Sequence, residues 1–372
     1  MRKLTILLLI SVVFSCTDKK DIKGIWVEKD NFNSPEIIKF EDYVFYPVTA
    51  TYQKQMYKLD NDTFITQHYG EIVKMKYKLS ESSLEFFSIE TDTLLAVYEK
   101  ASPNFIDYIN EALNLNIELV NYNSQNLYPH YENKFLYLDR LSNNETILSY
   151  NGSEISLDSL LYITFLDTTD YMQRSSFYLF ADKQVPVKDL NKLKTELRKA
   201  MQYRLFYITT VNQGELNGTY SKIPPIEFEY PVSFNRSFFP PPPPRLEYPS
   251  KDEFFEKAVL FEVQKDNVYL NDTLSSFEKF ESTLRKKLEL EEKPVLYFYV
   301  NEELDFESYI KHLIDIRKIY YSVRLQLSER FFNESEYEDL LYEQKDSIAS
   351  LTPMIISEIE IEELGRIKKY AL

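Results

Sequence analysis

The chain is poor in cysteine, glycine and histidine. Cys16 is its single cysteine, so no disulfide can form within the chain and the fold must stand on packing alone. Six glycines are too few for phosphate-cradling loops. None of the patterns G-x-x-x-x-G-K, G-x-G-x-x-G and G-x-S-x-G occurs, which removes the usual nucleotide-binding loops and the hydrolase elbow. His68, His130 and His312 are the three histidines, and no two of them share an element at metal-ligand spacing. No transition-metal site and no cofactor are expected, and the sequence reads as that of a non-enzyme. Positive charge is also short: 43 Lys and Arg against 59 Asp and Glu give a net charge of -16. That balance argues against nucleic acid or an anionic membrane surface as a partner.

What is present begins at the first residues. Arg2 and Lys3 precede an apolar run from Leu4 to Phe14, followed by Ser15 and Cys16. The run is too short for a bilayer core, which needs roughly 20 residues, but it fits the apolar core of a signal peptide. Val13-Phe14-Ser15-Cys16 has the form of a lipobox, in which cleavage precedes the cysteine and its thiol is lipidated. The other reading is an ordinary secretory signal with an incidental cysteine. The expected organisation is a signal peptide (1–15), a polar tether (16–21) and a body held at the cell envelope by lipid on Cys16. Two or more acyl chains give a stable anchor, since each buried CH₂ contributes roughly 0.8 kcal/mol. No later run approaches membrane length.

The body opens with strand-length runs: Gly24 to Val27, Ile37 to Tyr46, Tyr52 to Leu59, Phe64 to Gln67, Ile72 to Leu79, Leu84 to Ile89 and Leu94 to Glu99. Asp60-Asn61-Asp62 and Ser80-Glu81-Ser82-Ser83 punctuate them as turns. Short strands at this spacing predict a small antiparallel barrel over 22–100. Gly24 and Trp26, with this meander, resemble the opening of lipocalin-like lipoprotein domains. Trp26 would then lie at the barrel floor, or serve simply as core. Tyr43, Tyr46, Tyr52, Tyr57, Phe64 and Tyr77 suit either filling of the barrel or lining of an apolar-ligand cavity. A helical period (Phe105, Ile106, Ile109, Leu113) marks a connector over 101–132.

An internal repeat occupies most of the remainder. Asn151 falls on Asn271, Ser156 on Ser276, Leu157 on Phe277 and Leu160 on Phe280. With one residue of slippage, Asp182 falls on Asn301, Val185 on Leu304, Val187 on Phe306, Leu197 on Ile316, Phe206 on Leu325 and Ile208 on Leu327. The copies span 133–211 and 251–329. Each reads as a strand pair, a helix (from Ser156 or Ser275), a buried strand (Phe177 to Phe180; Val295 to Tyr299), a second helix (Val187 to Met201; Phe306 to Tyr320) and a last strand (Leu205 to Thr209; Val323 to Leu327). Between the copies, 212–250 is an insertion carrying Pro224-Pro225 and the run Pro240 to Pro244, read as a stiff spacer or as a docking strand for an aromatic groove. The C-terminal part, 330–372, is expected to hold an acidic helix (Glu334 to Ala349) and an edge strand (Met354 to Ile361). Glu358, Glu360, Glu362 and Glu363 read as a solvated face.

The turn Asn151-Gly152 and the stretch Phe180-Ala181-Asp182-Lys183-Gln184-Val185-Pro186-Val187, followed by a helix and a strand, resemble the periplasmic domain of the ExbD/TolR family. The second copy departs, with Asp272 for the glycine and Val300-Asn301-Glu302 for Ala-Asp-Lys. The resemblance implies an α+β fold of two tandem units behind the barrel, with Asn151, Gly152, Asp182 and Lys183 as turn elements. It also implies binding of envelope proteins or cell wall, tied to a TonB/Tol-type energy-transduction complex. The family's ion-coupling transmembrane aspartate has no counterpart here, so ion transport is not implied. The expected function is therefore a non-catalytic envelope lipoprotein acting as a binding or assembly module. The alternative is a carrier of a small apolar ligand in the barrel.

Overall fold

The computed structural model describes residues 21–32, 35–47, 54–68, 70–101, 104–123, 133–160, 176–200, 202, 204–211, 215–222, 258–265, 267–290 and 292–371. Cys16, Tyr52, His130 and the proline run lie outside them.

Eight antiparallel strands close into a barrel in simple up-and-down order, with the first pairing with the last. They are β1 (Gly24–Glu28), β2 (Ile37–Phe40), β3 (Val44–Pro47), β4 (Gln55–Asp60), β5 (Thr63–His68), β6 (Glu71–Leu79), β7 (Ser83–Phe87) and β8 (Leu94–Ala101). The single run expected from Ile37 to Tyr46 is two strands. The chain reverses at 41–43, where Tyr43 takes a left-handed backbone at φ 63°, and apolar pattern alone cannot show such a break. The interior is filled by Trp26, Ile38, Phe40, Phe64, Leu84, Phe86 and Tyr98. Phe64 is packed against Phe45, Tyr57 and Phe86 at ring-centroid distances of 5.5, 5.5 and 5.3 Å, within the range of favourable aromatic pairs.

Helix α1 (Phe105–Leu113) follows. Asn104 caps its start by accepting from the N–H groups of Ile106 and Asp107, and Asn114 ends it at φ 53°. Its buried face, with Ile117 and Leu119, packs on Phe135, Tyr137, Tyr178 and Phe180. Those four belong to the outer face of a six-stranded sheet, ordered β11-β10-β9-β12-β13-β14. Its strands are β9 (Asn133–Arg140), β10 (Thr146–Tyr150), β11 (Ser153–Ile155), β12 (Ser176–Ala181), β13 (Arg204–Val211) and β14 (Glu215–Lys222). β12 is parallel to both β9 and β13. Helix α2 (Val187–Lys199) crosses the inner face. Of the first helix expected here, the described residues hold a 3-10 turn at Leu157–Ser159, and 161–175 lie outside them. The segment expected to be linker from 212 onward starts instead with β14, paired antiparallel with β13.

The second sheet is five-stranded, β17-β16-β15-β18-β19, built from β15 (Ala258–Val263), β16 (Val268–Leu270), β17 (Thr273–Ser275), β18 (Val295–Val300) and β19 (Ile355–Glu358). Helices α3 (Phe277–Glu289) and α4 (Phe306–Phe332) pack on its inner face. The strand expected at Val323 to Leu327 is not formed: α4 runs through it. Val323, Leu325 and Leu327 alternate like a strand, yet Val323 and Leu327 are buried while Leu325 is exposed, which is the i, i+4 face of a helix. The vacant place beside β18 is taken by β19. The expected acidic helix from Glu334 is a 3-10 turn (Tyr337–Asp339) and α5 (Tyr342–Leu351). A last helix, α6 (Ile361–Ala371), covers the outer face through Leu364 and Ile367 against Leu260, Tyr297 and Tyr299. Barrel plus mixed sheets and helices make the chain α+β.

Candidate functional site

The two sheets meet across α2 and α4, and their contact starts from main chain. Val187 N–H donates to Leu304 O (2.8 Å) and Phe306 N–H to Val185 O (2.7 Å). Lys188 N–H donates to Glu302 O (3.1 Å) and Glu307 N–H to Lys183 O (3.0 Å). Pro186 and Asp305 form an antiparallel bridge between the pairs. Val185 and Leu304 are the residues superposed by the sequence repeat, as are Val187 and Phe306. Each bond from one unit to the other is therefore answered by a bond between the counterpart residues in the opposite direction, the reciprocity of a two-fold dimer contact inside one chain.

Behind this bridge lies a buried polar cluster. Lys194 on α2 donates to Glu358 Oε2 on β19 (2.6 Å) and to the Tyr309 hydroxyl on α4 (2.8 Å). Tyr309 in turn donates to Glu358, and its hydroxyl meets that of Tyr207 on β13 at 3.1 Å. The Lys194 and Glu358 side chains are 6% and 11% exposed. Burial, reinforced by the Glu358 charge, pushes the Tyr309 hydroxyl well above the ordinary tyrosine range, so it stays a proton donor. The expected solvated acidic face is thus corrected at Glu358, which is a buried ion-pair partner. A second crossing ties the connector to α4: Tyr122 donates to Asp315 Oδ1 (2.6 Å) under Lys318. Burial, with that bond, pushes the Tyr122 hydroxyl up to about 12.

A shallow groove of about 270 Å³ opens beside α2, with Lys188 and Lys192 facing Glu196, Glu302 and Glu360. It offers charges of both signs to a polar partner. Among the described residues no group of three or more His, Cys, Asp and Glu is placed to hold a metal ion. No helix among them is long and apolar enough to cross a membrane.

The residues singled out by sequence fall in three places. Gly24 (φ 122°) and Trp26 lie on β1. Trp26 is wholly buried, its indole N–H donating to Ile22 O at 2.7 Å. Asn151 (φ 50°) and Gly152 (φ 72°) form the two-residue turn between β10 and β11, matched by Asn271 (φ 49°) and Asp272 (φ 64°) between β16 and β17. Positive φ at both central residues is the requirement of a type I′ hairpin. Asp182 and Lys183 follow β12. Lys183 pairs with Glu118, and Asp182 accepts from the connector at Glu118 N–H (2.8 Å). His312 is half-buried in α4, its Nδ1 2.7 Å from Ser308 O.

Gly152 also carries a docking contact: a Cβ there would lie 2.9 Å from Cδ2 of Phe32, on the β1–β2 loop of the barrel. Gly152→Ala is therefore expected to destabilise the chain by about 1–3 kcal/mol, through strain at positive φ and displacement of Phe32. Phe32→Ala in the same background should recover the steric part. Thermal unfolding of the two variants measures both.

Sequence reasoning missed Lys194, Tyr309 and Glu358. One signal was available: Lys194 sits among Leu190, Leu193 and Leu197 at i, i+3, i+4, i+7 spacing, on the stripe that a helix buries. Compared with known proteins, the chain matches no family model, no curated protein and no solved structure.

Proposed function

We propose that this chain is a non-catalytic lipoprotein of the cell envelope, anchored through lipid on Cys16. In this reading its two α/β units, of the ExbD/TolR periplasmic type, act together as a binding or assembly module for a TonB- or Tol-type energy-transduction complex or for the cell wall. The observation that carries the reading is the reciprocal main-chain bridge between the units. It joins two like folds into one rigid two-sided body, the form of a platform. The aromatic filling of the barrel supports a structural spacer next to the anchor over a ligand carrier. The basic residues, apolar run and Val13-Phe14-Ser15-Cys16 support the anchor.

The test is crosslinking of the tagged full chain in cells, with Cys16→Ala beside it. The expected result is capture of wall fragments or of motor proteins by the wild type. Both the capture and membrane fractionation should be lost in Cys16→Ala, because without acyl chains nothing in the reading holds the chain at the bilayer. Capture of neither would sink the reading.

A further inference from the structure

The outer face of the first sheet ends in two aspartates under the connector. β12 runs parallel to β9 with Ala181 beside Leu138, and Asp182 N–H continues the ladder to Leu138 O (2.8 Å). Asp182 and Asp139 are therefore neighbours across the pair, on one face. Asp139 is wholly buried and Asp182 is 4% exposed. Asp139 Oδ2 accepts from Asn116 N–H (2.9 Å), Asp182 Oδ2 from Glu118 N–H (2.8 Å) and Asp182 Oδ1 from Gln184 N–H (2.8 Å). Asp139 Oδ1 is buried without a partner.

The cation nearest the pair is shared with other carboxylates. On the connector and the β12 turn, Lys183 pairs with Glu118; its ammonium also feels Glu307 of α4 and, least of the three, Asp182. Arg140, next to Asp139 in sequence, bonds Thr146 and pairs with Asp189 of α2, on the inner face. Asp107 and Glu111 of α1 and Glu145 of the β9–β10 turn are exposed. Three of the four carboxylate oxygens are already met by N–H donors, which leaves no oxygen cage for a cation.

The second unit shows what this frame holds when it carries no charge. There Asn301 N–H donates to Val263 O (2.9 Å) and Asn301 Oδ1 accepts from Glu303 N–H (2.9 Å), repeating the Asp182 bonds. Gln264 stands where Asp139 stands. Asn301 Nδ2–H donates to Gln264 Oε1 at 2.8 Å, so a hydrogen lies between the two side chains. In the first unit neither side chain carries an N–H, so a hydrogen that the pair itself places there is an acidic one.

We propose that Asp182, buried beside the Asp139 carboxylate, takes up a proton as pH falls, and that this proton secures the connector, and with it the barrel, on the first α/β unit. Two carboxylates sharing a buried site cannot both ionise freely. Burial first, and the Asp139 charge in addition, raise the Asp182 carboxyl above the ordinary aspartate value, against the opposing bonds from Glu118 and Gln184. A carboxyl raised in the folded state holds its proton more tightly than in the unfolded chain. This contribution to stability is therefore fullest below the ordinary aspartate value and is lost as pH rises through the raised one.

The experiment compares the full chain in detergent with Asp139→Asn, Asp182→Asn and the double variant Asp139→Gln/Asp182→Asn, which copies the second unit. Carboxyl-carbon NMR of the wild type should show Asp182 titrating above the exposed aspartates. Protection of the Asn116 and Glu118 amides, corrected for intrinsic exchange, should fall on the order of tenfold as pH rises through that titration. In the double variant both the fall and the matching slope of Tm with pH should vanish. Asp182 titrating with the exposed aspartates, or a pH slope that persists in the double variant, would overturn the proposal. The wild-type titration decides the matter even where a variant fails to fold. Neither readout depends on anchoring or on partner capture.

Discussion

Lys194→Met is expected to destabilise the paired α/β units by about 3–5 kcal/mol, the effect of stranding one member of a buried ion pair. Glu358 would keep its charge at 11% exposure without the ammonium it now accepts from, while Tyr309 would lose the 2.8 Å contact with that ammonium. Removing both charges is a different matter. Lys194→Met with Glu358→Leu replaces the pair by apolar groups of similar volume and should return most of the loss, since such exchanges are often neutral or stabilising. Urea unfolding followed by circular dichroism measures the effect. Trp26 is the chain's one tryptophan and lies in the barrel core, so its fluorescence reports the barrel alone. The fluorescence transition should stay in place while the dichroism transition moves. A joint shift of both would mean that barrel and units unfold as one, and that Lys194 supports more than the contact it touches.

The second large effect belongs to the barrel. Trp26→Ala is expected to destabilise it by about 3–5 kcal/mol, the range for emptying a large buried aromatic site. The walls of that site, Phe40, Phe64 and Phe86, are held by one another and have little freedom to collapse into it. Trp26→Phe fills most of the volume but strands the Ile22 carbonyl that now accepts the indole N–H. It should lose about 1–3 kcal/mol, the penalty of one buried unpaired group. Scanning calorimetry separates the variants, and a Trp26→Ala chain as stable as the wild type would remove Trp26 from the barrel core.

Much of this architecture could be read from residue order, and the gaps have particular causes. Met75-Lys76-Tyr77-Lys78-Leu79 alternates plainly, and β6 follows it. Asn151-Gly152 reads as a turn, and it is one, but the short strands β11 and β17 that make hairpins of it and of Asn271-Asp272 were not legible, being three residues each. β14 was hidden because Glu215–Lys222 carries Asn217 and Gly218 and few apolar residues; its strand form is imposed by the ladder with β13. The tail of α4 met both the two-residue and the four-residue period, and only the packed core decides between them. Of the candidate sites, Asp182 was visible as a turn residue, but Asp139, near the end of β9, carries no local signal, since its neighbour Asp182 lies on another strand's end. Lys194 and Glu358 stand 164 residues apart. No local pattern links them, because their partnership exists only once two separate units have folded.

The bridge between the units has a further consequence, for concentration. Two separate subunits in a membrane must find one another, and their pairing weakens as they become scarce. Here the partners are lengths of one polypeptide, so their encounter is governed by an effective concentration that the intervening chain fixes and that copy number does not change. A cell making a few copies of this chain holds them as fully paired as a cell making thousands. Covalent linkage also releases the halves from identity. One can carry a barrel on its outer face and the other a C-terminal helix, a division of labour that a dimer of identical chains could not encode.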